Sequence, residues 1–226
     1  MGIGQDRAGE NPQVQWVEGV PVAQAFDDPY FSLNDGLAET EHVFLAGNDL
    51  PARLIPGFHV AELGFGTGLN ALALARLAQG MPGDGRIKMT SFEAFPMEPA
   101  DMARALAAFD GLADLPASLL DGWPARQIAI GRLDLTVIVG DARETLRAWD
   151  GQADAWFLDG FSPAKNPELW GADLMAEVAR HTRPGGTFAT YTAAGHVRRA
   201  LSEAGFDVTR APGFGRKRHM SRGNLR

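Results

Sequence analysis

The stretch that decides the fold is AELGFGTGLNALALARL, residues 61–77, in which a short apolar segment leads through three alternating glycines into a helix-forming run. This order is typical of a strand, a tight turn and a helix. Glycines in such a turn let a ligand approach the backbone amides at the helix N-terminus. The dinucleotide pattern G-x-G-x-x-G would need a small residue where this chain has Leu69. The stretch therefore predicts a ligand-binding loop, but a poor match to a nicotinamide dinucleotide.

Strands and helices alternate along the rest of the chain, which is the pattern of a parallel sheet with helices on both faces. Residues 1–57 do not follow the alternation and are predicted to form an N-terminal arm, whereas residues 58–226 are predicted to form one structural unit. The expected fold is α/β, with a doubly wound, mostly parallel, seven-stranded sheet. We predict strands at residues 58–63, 88–93, 133–139, 155–158, 187–191, 206–211 and 217–224, the last antiparallel, with a hairpin arm at 127–130. Helices are predicted at 69–79, 99–109, 142–149, 167–181 and 195–204, with a shorter one within 111–124.

Polar residues follow successive strands, and in open sheets of this kind ligands bind beyond those strand ends. Glu93 follows the second strand, where a carboxylate can accept both ribose hydroxyls of an adenosine group. After the third strand, Asp141 can accept from an adenine amino group while the amide of Ala142 donates to the ring, although Asp141 also suits a helix N-cap. Asp159 and Phe161 follow the fourth strand in a tight turn, where the reacting group would lie. These positions together favour an adenosine ligand.

The acidic residue two places before the first glycine gives the spacing E-x-G-x-G-x-G. This spacing resembles motif I of class I S-adenosylmethionine-dependent methyltransferases, whose loop passes under the amino acid and ribose parts of the cofactor. The resemblance implies S-adenosylmethionine as the cofactor and a Rossmann-like class I methyltransferase fold. The loop residues that it implies as cofactor-binding are Glu62, Gly64, Phe65, Gly66, Gly68 and Asn70.

Composition and charge narrow the function classes. The 226 residues include no cysteine, and the five histidines lack ligand spacing, so we predict no disulfide and no metal site. No apolar run has the length of a membrane span and no secretion signal is visible, so we expect a soluble, cytoplasmic protein without a membrane partner. From residue 198 onward eight Lys or Arg outnumber two acids, which makes this segment +6 and the remainder −13, out of a net −7. The asymmetry indicates either an anionic partner or a solvated basic C-terminus.

Five segments together resemble the methyltransferase domain of the MnmC family of tRNA-modifying enzymes. They are FDDPYFSLNDGLAETEHVFLAGNDL (26–50), ELGFGTGLN (62–70), SFEAFP (91–96), FLDGFSPAKNPELW (157–170) and GFGRKRHM (213–220). The likeness extends over about residues 20–220. In that family the domain methylates the 5-aminomethyl group of the tRNA wobble uridine, or 2-thiouridine, with S-adenosylmethionine. In many members it is fused to a C-terminal flavin-dependent oxidase, so we expect a stand-alone methyltransferase or a part of such a fusion, with the oxidase fused or acting in trans.

The resemblance implies roles for further residues of this chain. Asp159 would hold the amine and collect its proton, and Phe161 would form the wall or the stacking partner of the flipped base. Tyr30 lies in the matched motif at 28–31, which with the motif at 34–36 is expected to cover the cofactor and substrate cleft. The expected contacts with the tRNA anticodon arm are Lys165, Arg216, Lys217 and Arg218.

Two other classes stay open from the residues alone. A small-molecule methyltransferase or aminopropyltransferase would use the same fold and cofactor loop, but would not need the basic C-terminal segment. A non-catalytic module that binds an adenosine cofactor would keep the glycine loop and Glu93, but would have no need of Asp159.

Overall fold

The structure, a computed structural model, describes residues 12–32, 35–125 and 127–226. Within these ranges an eight-stranded sheet has the order β10-β11-β9-β8-β4-β5-β7-β6, and a three-stranded sheet has the order β1-β2-β3. The strands of the large sheet are β4 (His59–Leu63), β5 (Ile87–Glu93), β6 (Gln127–Ile130), β7 (Leu133–Val139), β8 (Ala153–Leu158), β9 (Thr182–Thr190), β10 (Phe206–Pro212) and β11 (His219–Leu225). The strands of the small sheet are β1 (Val14–Val17), β2 (Val20–Ala23) and β3 (Asp28–Pro29).

Helices cover both faces of the large sheet, which confirms the predicted doubly wound α/β fold. The five central strands, β9, β8, β4, β5 and β7, pair in parallel, and β6, β10 and β11 pair antiparallel at the edges. The sheet has one strand more than predicted because the first arm of the predicted hairpin, β6, pairs with β7 and extends the edge. The helices are α1 (Gly36–Thr40), α2 (Leu50–Arg53), α3 (Leu69–Gln79), α4 (Pro99–Leu106), α5 (Leu115–Gly122), α6 (Ala142–Ala148), α7 (Ala172–Arg180) and α8 (Gly195–Glu203), with a π-helical segment at Glu41–Ala46 and 3-10 turns at Asp110–Leu112 and Pro167–Trp170.

The central strands are apolar on both faces because each face is covered. Side chains alternate between the faces, so Val60 and Phe157 join one core cluster while Ala61 and Trp156 join the other. All four are fully buried. Burying a large apolar side chain stabilises the fold by about 1.5–3 kcal/mol. The core therefore fixes β4 and β8 at the centre of the sheet, where their carboxyl ends lie side by side.

The helix α3 has the bounds that the sequence predicts, and it is buried on more than its sheet-facing side. Leu72 and Leu74 are both inaccessible to solvent although they lie on different faces of the helix. The second face is covered because α1 and the π-helical segment pack against α3. Residues of the predicted arm thus complete the core beside the glycine loop. Asn34, which belongs to the predicted motif of the arm, lies outside the described residues.

The predicted single helix at residues 167–181 is wrong. A 3-10 turn, Pro167–Trp170, is separated from α7 by Gly171, whose ψ of 152° is extended. The interruption allows the Trp170 ring to be buried while its Nε1 donates to the carbonyl of Phe161 at 2.9 Å. The preceding turn is thereby attached to the core.

No helix in the described ranges is both long enough and apolar enough to cross a membrane. Nor does any group of three potential metal-binding side chains converge there.

Candidate functional site

A cavity of about 850 Å³ lies at the carboxyl ends of the central strands. Pockets for small molecules and cofactors commonly have volumes of about 300–1,000 Å³. Most of the predicted site residues line it together: Tyr30, Gly64, Phe65, Gly66, Asn70, Glu93, Asp141, Ala142, Asp159, Phe161, Lys165, Arg216 and Lys217. Three predicted residues are not on its wall: Glu62, Gly68 and Arg218.

The glycine loop between β4 and α3 has no room for side chains on its cavity side. Gly66 has a φ of +55°, and a Cβ atom there would lie 3.2 Å from the Tyr30 ring. A Cβ atom on Gly64, whose φ is +85°, would lie 3.0 Å from the backbone of Gly160. Only glycine adopts such a conformation without strain and leaves the backbone open to a ligand. Gly68 is instead buried below the loop, where it begins α3 beside Leu119.

Glu93 connects the end of β5 to the glycine loop. One carboxylate oxygen accepts from the Gly66 amide at 2.9 Å, and the other accepts from the Phe95 amide at 2.7 Å. Burial raises the pKa of Glu93, although these amide hydrogen bonds act in the opposite direction. A carboxylate has about four acceptor positions, and these two hydrogen bonds use one on each oxygen, while the amides of Phe65 and Ala94 also face the carboxylate.

Asp141 caps α6 and binds the arginine two residues later. Its carboxylate accepts from the Arg143 amide at 2.9 Å and from Arg143 Nε at 3.0 Å. Burial opposes ionisation, but the Arg143 hydrogen bonds and charge outweigh it and lower the pKa of Asp141. Asp141 is therefore both the N-cap of α6 and a residue of the cavity wall. Ala142, the next residue, also lines the cavity.

Asp159 is held at the end of β8 by two hydrogen bonds to its carboxylate. Oδ1 accepts from the Gly160 amide at 2.8 Å, and Oδ2 accepts from Asn70 Nδ2 at 2.8 Å. Burial raises the pKa of Asp159 to about 6, while the bond from Asn70 acts in the opposite direction. A carboxylate with this pKa is ionised at neutral pH and is more basic than an exposed aspartate.

Asn70 joins Asp159 to a second, fully buried carboxylate. Its Nδ2 also donates to Glu62 at 2.8 Å, and its Oδ1 accepts from the Thr40 hydroxyl at 2.8 Å. Glu62 is further bound by the Ser91 hydroxyl at 2.6 Å, and burial raises its pKa well above the usual range. With both N–H groups engaged, Asn70 has one orientation. Glu62 thus lies behind the cavity wall, and it contacts the cavity-lining Asp159 only indirectly, through their shared hydrogen-bond partner Asn70.

Aromatic residues of the arm close over the Asp159 turn. Phe161 stacks on Phe26 with ring centres 4.5 Å apart, and it meets the Tyr30 ring edge-on at 5.2 Å. The carboxylate of Asp28 accepts from the Ser162 amide at 2.7 Å. One face of Phe161 is therefore covered by the arm. Phe26 belongs to the FDDPYF segment, but nothing local in the sequence indicates its partner.

Basic residues predicted to meet tRNA have different surroundings. Lys165 pairs with Asp27 of the arm at 2.7 Å, and Lys217 pairs with Glu39 at 2.8 Å. Arg216 is exposed and lines the cavity, whereas Arg218 is exposed but does not line it. Elsewhere in the basic segment, Arg222 binds Asp49 at 2.7 Å and Arg226 binds Asp207 at 3.3 Å. Part of the predicted +6 charge is thus neutralised within the fold.

Glu39 and Tyr191 are among the cavity residues that sequence reasoning missed. Glu39 in α1 is 9 % exposed and Tyr191 follows β9, and both line the cavity near Lys217. Tyr191 also donates its hydroxyl proton to the Gly160 carbonyl at 2.8 Å. Tyr191 follows a strand end and could have been found by the rule that found Asp159, whereas Glu39 gives no such signal.

Comparisons with known proteins agree with this geometry. The profile of a family described as S-adenosyl-L-methionine-dependent methyltransferase matches residues 111–226. The chain is 45% identical over 230 residues to the "tRNA 5-methylaminomethyl-2-thiouridine biosynthesis bifunctional protein MnmC" of Chromohalobacter salexigens, with 95% of this chain and 33% of that protein covered. It is 47% identical over 223 residues to the protein of the same name in Caulobacter sp., with 92% and 37% covered. The chain spans about a third of the length of these relatives.

Solved structures with this fold include MNMC2 from Aquifex aeolicus, which is 25% identical with a TM-score of 0.74 and coverage of 99% of this chain and 73% of that chain. The glycopeptide N-methyltransferase MtfA complexed with sinefungin is 20% identical, with a TM-score of 0.52 and coverage of 85% and 87%. The second likeness concerns the fold alone.

Proposed function

We propose that this chain, which belongs to the S-adenosyl-L-methionine-dependent methyltransferase family, methylates the 5-aminomethyl group of the wobble uridine or 2-thiouridine of tRNA. The observation that carries the proposal is the meeting of the glycine loop and the Asp159 turn in one cavity. The open backbone of the glycine loop suits a cofactor, and the Asp159 carboxylate suits an amine. The names of the relatives, which concern the biosynthesis of a methylaminomethyl-thiouridine in tRNA, support this choice of substrate.

The proposed cofactor site is the half of the cavity beside β4, β5 and β7. The open backbone of Gly64 to Gly66 would receive the amino acid part, and Glu93 would accept the ribose hydroxyls. Asp141 and the amide of Ala142 would bind the adenine, and Tyr30 would cover it. Asn70 and Glu62 are assigned a positioning role, because Asn70 donates to the Asp159 carboxylate and Glu62 accepts from the same Asn70 amide group.

The proposed reaction is an in-line methyl transfer to nitrogen. Bound S-adenosylmethionine supplies a methyl group on a sulfonium; the amine lone pair forms the new N–C bond while the C–S electron pair stays on sulfur. Asp159 would accept an amine proton before attack and keep the lone pair directed at the methyl carbon. Its pKa of about 6 suits this task, since the carboxylate is available at neutral pH. Phe161 and Phe26 would exclude water from the reacting atoms.

The remaining assignments belong to the same proposal. The described part of the predicted N-terminal arm, residues 12–32 and 35–57, would cover the site; residues 1–11 of that arm lie outside the described ranges. Lys165, Arg216, Lys217 and Arg218 would meet phosphates of the tRNA anticodon stem and loop. An oxidase, fused or separate, would supply the amine, and the location would be cytoplasmic.

The test is incubation of the chain with methyl-labelled S-adenosylmethionine and tRNA from cells that cannot methylate the wobble aminomethyl group. Nucleoside analysis should show label in a methylaminomethyl nucleoside. tRNA from cells that cannot make the aminomethyl intermediate is the matched control and should remain unlabelled. Label at another nucleoside, or label only on small-molecule amines, would contradict the proposed substrate.

A further inference from the structure

Lys217 places a cation inside the cavity, beside the proposed reaction centre. Its Nζ lies 2.8 Å from Glu39 Oε1 and 4.2 Å above the centre of the Tyr191 ring. The Glu39 side chain is only 12% exposed, whereas that of Lys217 is 47% exposed. An almost buried carboxylate and an aromatic face therefore hold an ammonium group that remains open to solvent on its other side.

This carboxylate and ring are close to Asp159. The Tyr191 hydroxyl donates to the carbonyl of Gly160, the residue next to Asp159, at 2.8 Å. The charge of Lys217 lowers the pKa of Asp159 and the charge of Glu39 raises it, so both charges act on the Asp159 carboxylate. A cation held by Glu39 and Tyr191 therefore lies in the same cavity as the proposed proton acceptor and interacts with its charge.

We propose that Glu39 and the Tyr191 ring form the binding site for the protonated amine of the substrate, and that Lys217 occupies this site in the free protein. The inference rests on the proposed function. A protonated aminomethyl group resembles the end of a lysine side chain, with three N–H donors on a flexible methylene. A carboxylate and an aromatic face bind both by the same interactions.

The energetics favour an exchange of one ammonium for another. An almost buried carboxylate that loses its cation is destabilised, so Glu39 needs a partner in the free protein as well as in the complex. When the substrate ammonium replaces Lys217, the pairing of Glu39 is preserved. The released Lys217 side chain enters solvent beside exposed Arg216, where it can meet an RNA phosphate.

The proton balance is complete in this arrangement. The ammonium at Glu39 transfers one proton to the Asp159 carboxylate, which leaves a neutral amine with a free lone pair. Methyl transfer then restores a positive charge on the same nitrogen, so the product is again an ammonium that Glu39 can hold. The proton on Asp159 returns to solvent.

The experiment measures how much the amine itself contributes to tRNA binding. Dissociation constants are determined, with S-adenosylhomocysteine present, for tRNA that carries the 5-aminomethyl group and for the same tRNA with an unmodified wobble uridine. The ratio of the two constants isolates the amine together with any contact of the displaced Lys217, because all other phosphate contacts cancel. The parent should bind the aminomethyl form about tenfold or more tightly, the scale of a hydrogen bond between charged groups.

Glu39→Gln should bring this ratio close to one, whereas Lys217→Met should raise it several-fold because the competing cation is gone. The controls are Asp49→Asn and Arg222→Met, which break another ion pair between the arm and the C-terminal hairpin, also close at 2.7 Å but with an exposed carboxylate and off the cavity wall. Both should keep the parent ratio. Should Glu39→Gln not fold, as judged by lost S-adenosylhomocysteine binding, Lys217→Met decides alone.

A parent ratio of one, an unchanged ratio in a folded Glu39→Gln, or an unchanged or lower ratio in Lys217→Met would overturn the inference. Methylation of the aminomethyl tRNA by the parent, assayed separately, would leave the proposed function standing in each of these cases. If the parent does not methylate that tRNA, the proposed function fails, and the inference fails with it.

Discussion

The two halves of the cavity are assembled in different ways. The cofactor half, around the glycine loop, Glu93 and Asp141, comes from residues at or directly after the carboxyl ends of neighbouring parallel strands. The substrate half joins the Asp159 turn to the arm and to the C-terminal hairpin; its Glu39–Lys217 contact spans 178 positions of the chain. The cofactor half depends on backbone shape, whereas the substrate half depends on charged and aromatic side chains. Substitutions should therefore affect binding of the cofactor and chemistry on the substrate separately.

The largest expected effect is on the substrate half. Asp159→Asn should lower the methylation rate by roughly 10²–10⁴-fold, the scale of a lost general base, and leave cofactor affinity nearly unchanged. Because the active form is the carboxylate, with a pKa of about 6, the parent's rate should be full above this pH and fall about tenfold per pH unit below it. The variant should lack this acid limb. Rate measurements from pH 5 to 8 with saturating cofactor would check both points, and near-parent turnover would contradict the role.

The next effect is on the cofactor half. Gly66→Val should reduce S-adenosylmethionine affinity at least about tenfold, because the added atoms meet Tyr30 and fill the space where the backbone must approach the ligand. Gly57→Val is the control, since Gly57 also has positive φ (+82°) but has open space around its Cβ position. Both carry backbone strain of roughly 1–2 kcal/mol. Calorimetry should find lost binding only for Gly66→Val; equal affinities would show that the loop does not need an open backbone.

The smallest effect concerns the rim. Replacing Arg216 and Arg218 together by Ala should weaken binding of all tRNAs alike and reduce the slope of log affinity against log salt by up to about two. Methylation at saturating tRNA should change little. The control is the pair Arg222→Ala and Arg226→Ala, because these arginines already bind acidic residues. A salt slope that is the same for the parent and the Arg216 and Arg218 variant would place RNA binding elsewhere, and the arm around Tyr30 would be the next surface to test.

Sequence reasoning correctly predicted the features that depend on a local pattern of residues. The glycine spacing predicted the turn before α3 and both ends of that helix, and the strand ends predicted that Glu93, Asp141 and Asp159 meet in one cavity. Parallel strands bring their carboxyl ends to the same edge, so chain order alone determines which residues assemble there. The helix predicted at 167–181 failed because burial of Trp170 interrupts the helical pattern.

By itself the sequence determined the fold class, the glycine loop and the acidic residues at the strand ends, since strand and helix periodicity and strand-end position are local properties. Only the tertiary structure decided the rest. It placed Glu62 behind Asn70, put Phe26 on Phe161, left Arg218 off the cavity wall and brought Lys217 to Glu39. The physical reason is that these contacts join segments remote in the chain. The packing of the arm and the C-terminal hairpin against the core determines which charged side chains form ion pairs, and no spacing along the chain predicts it.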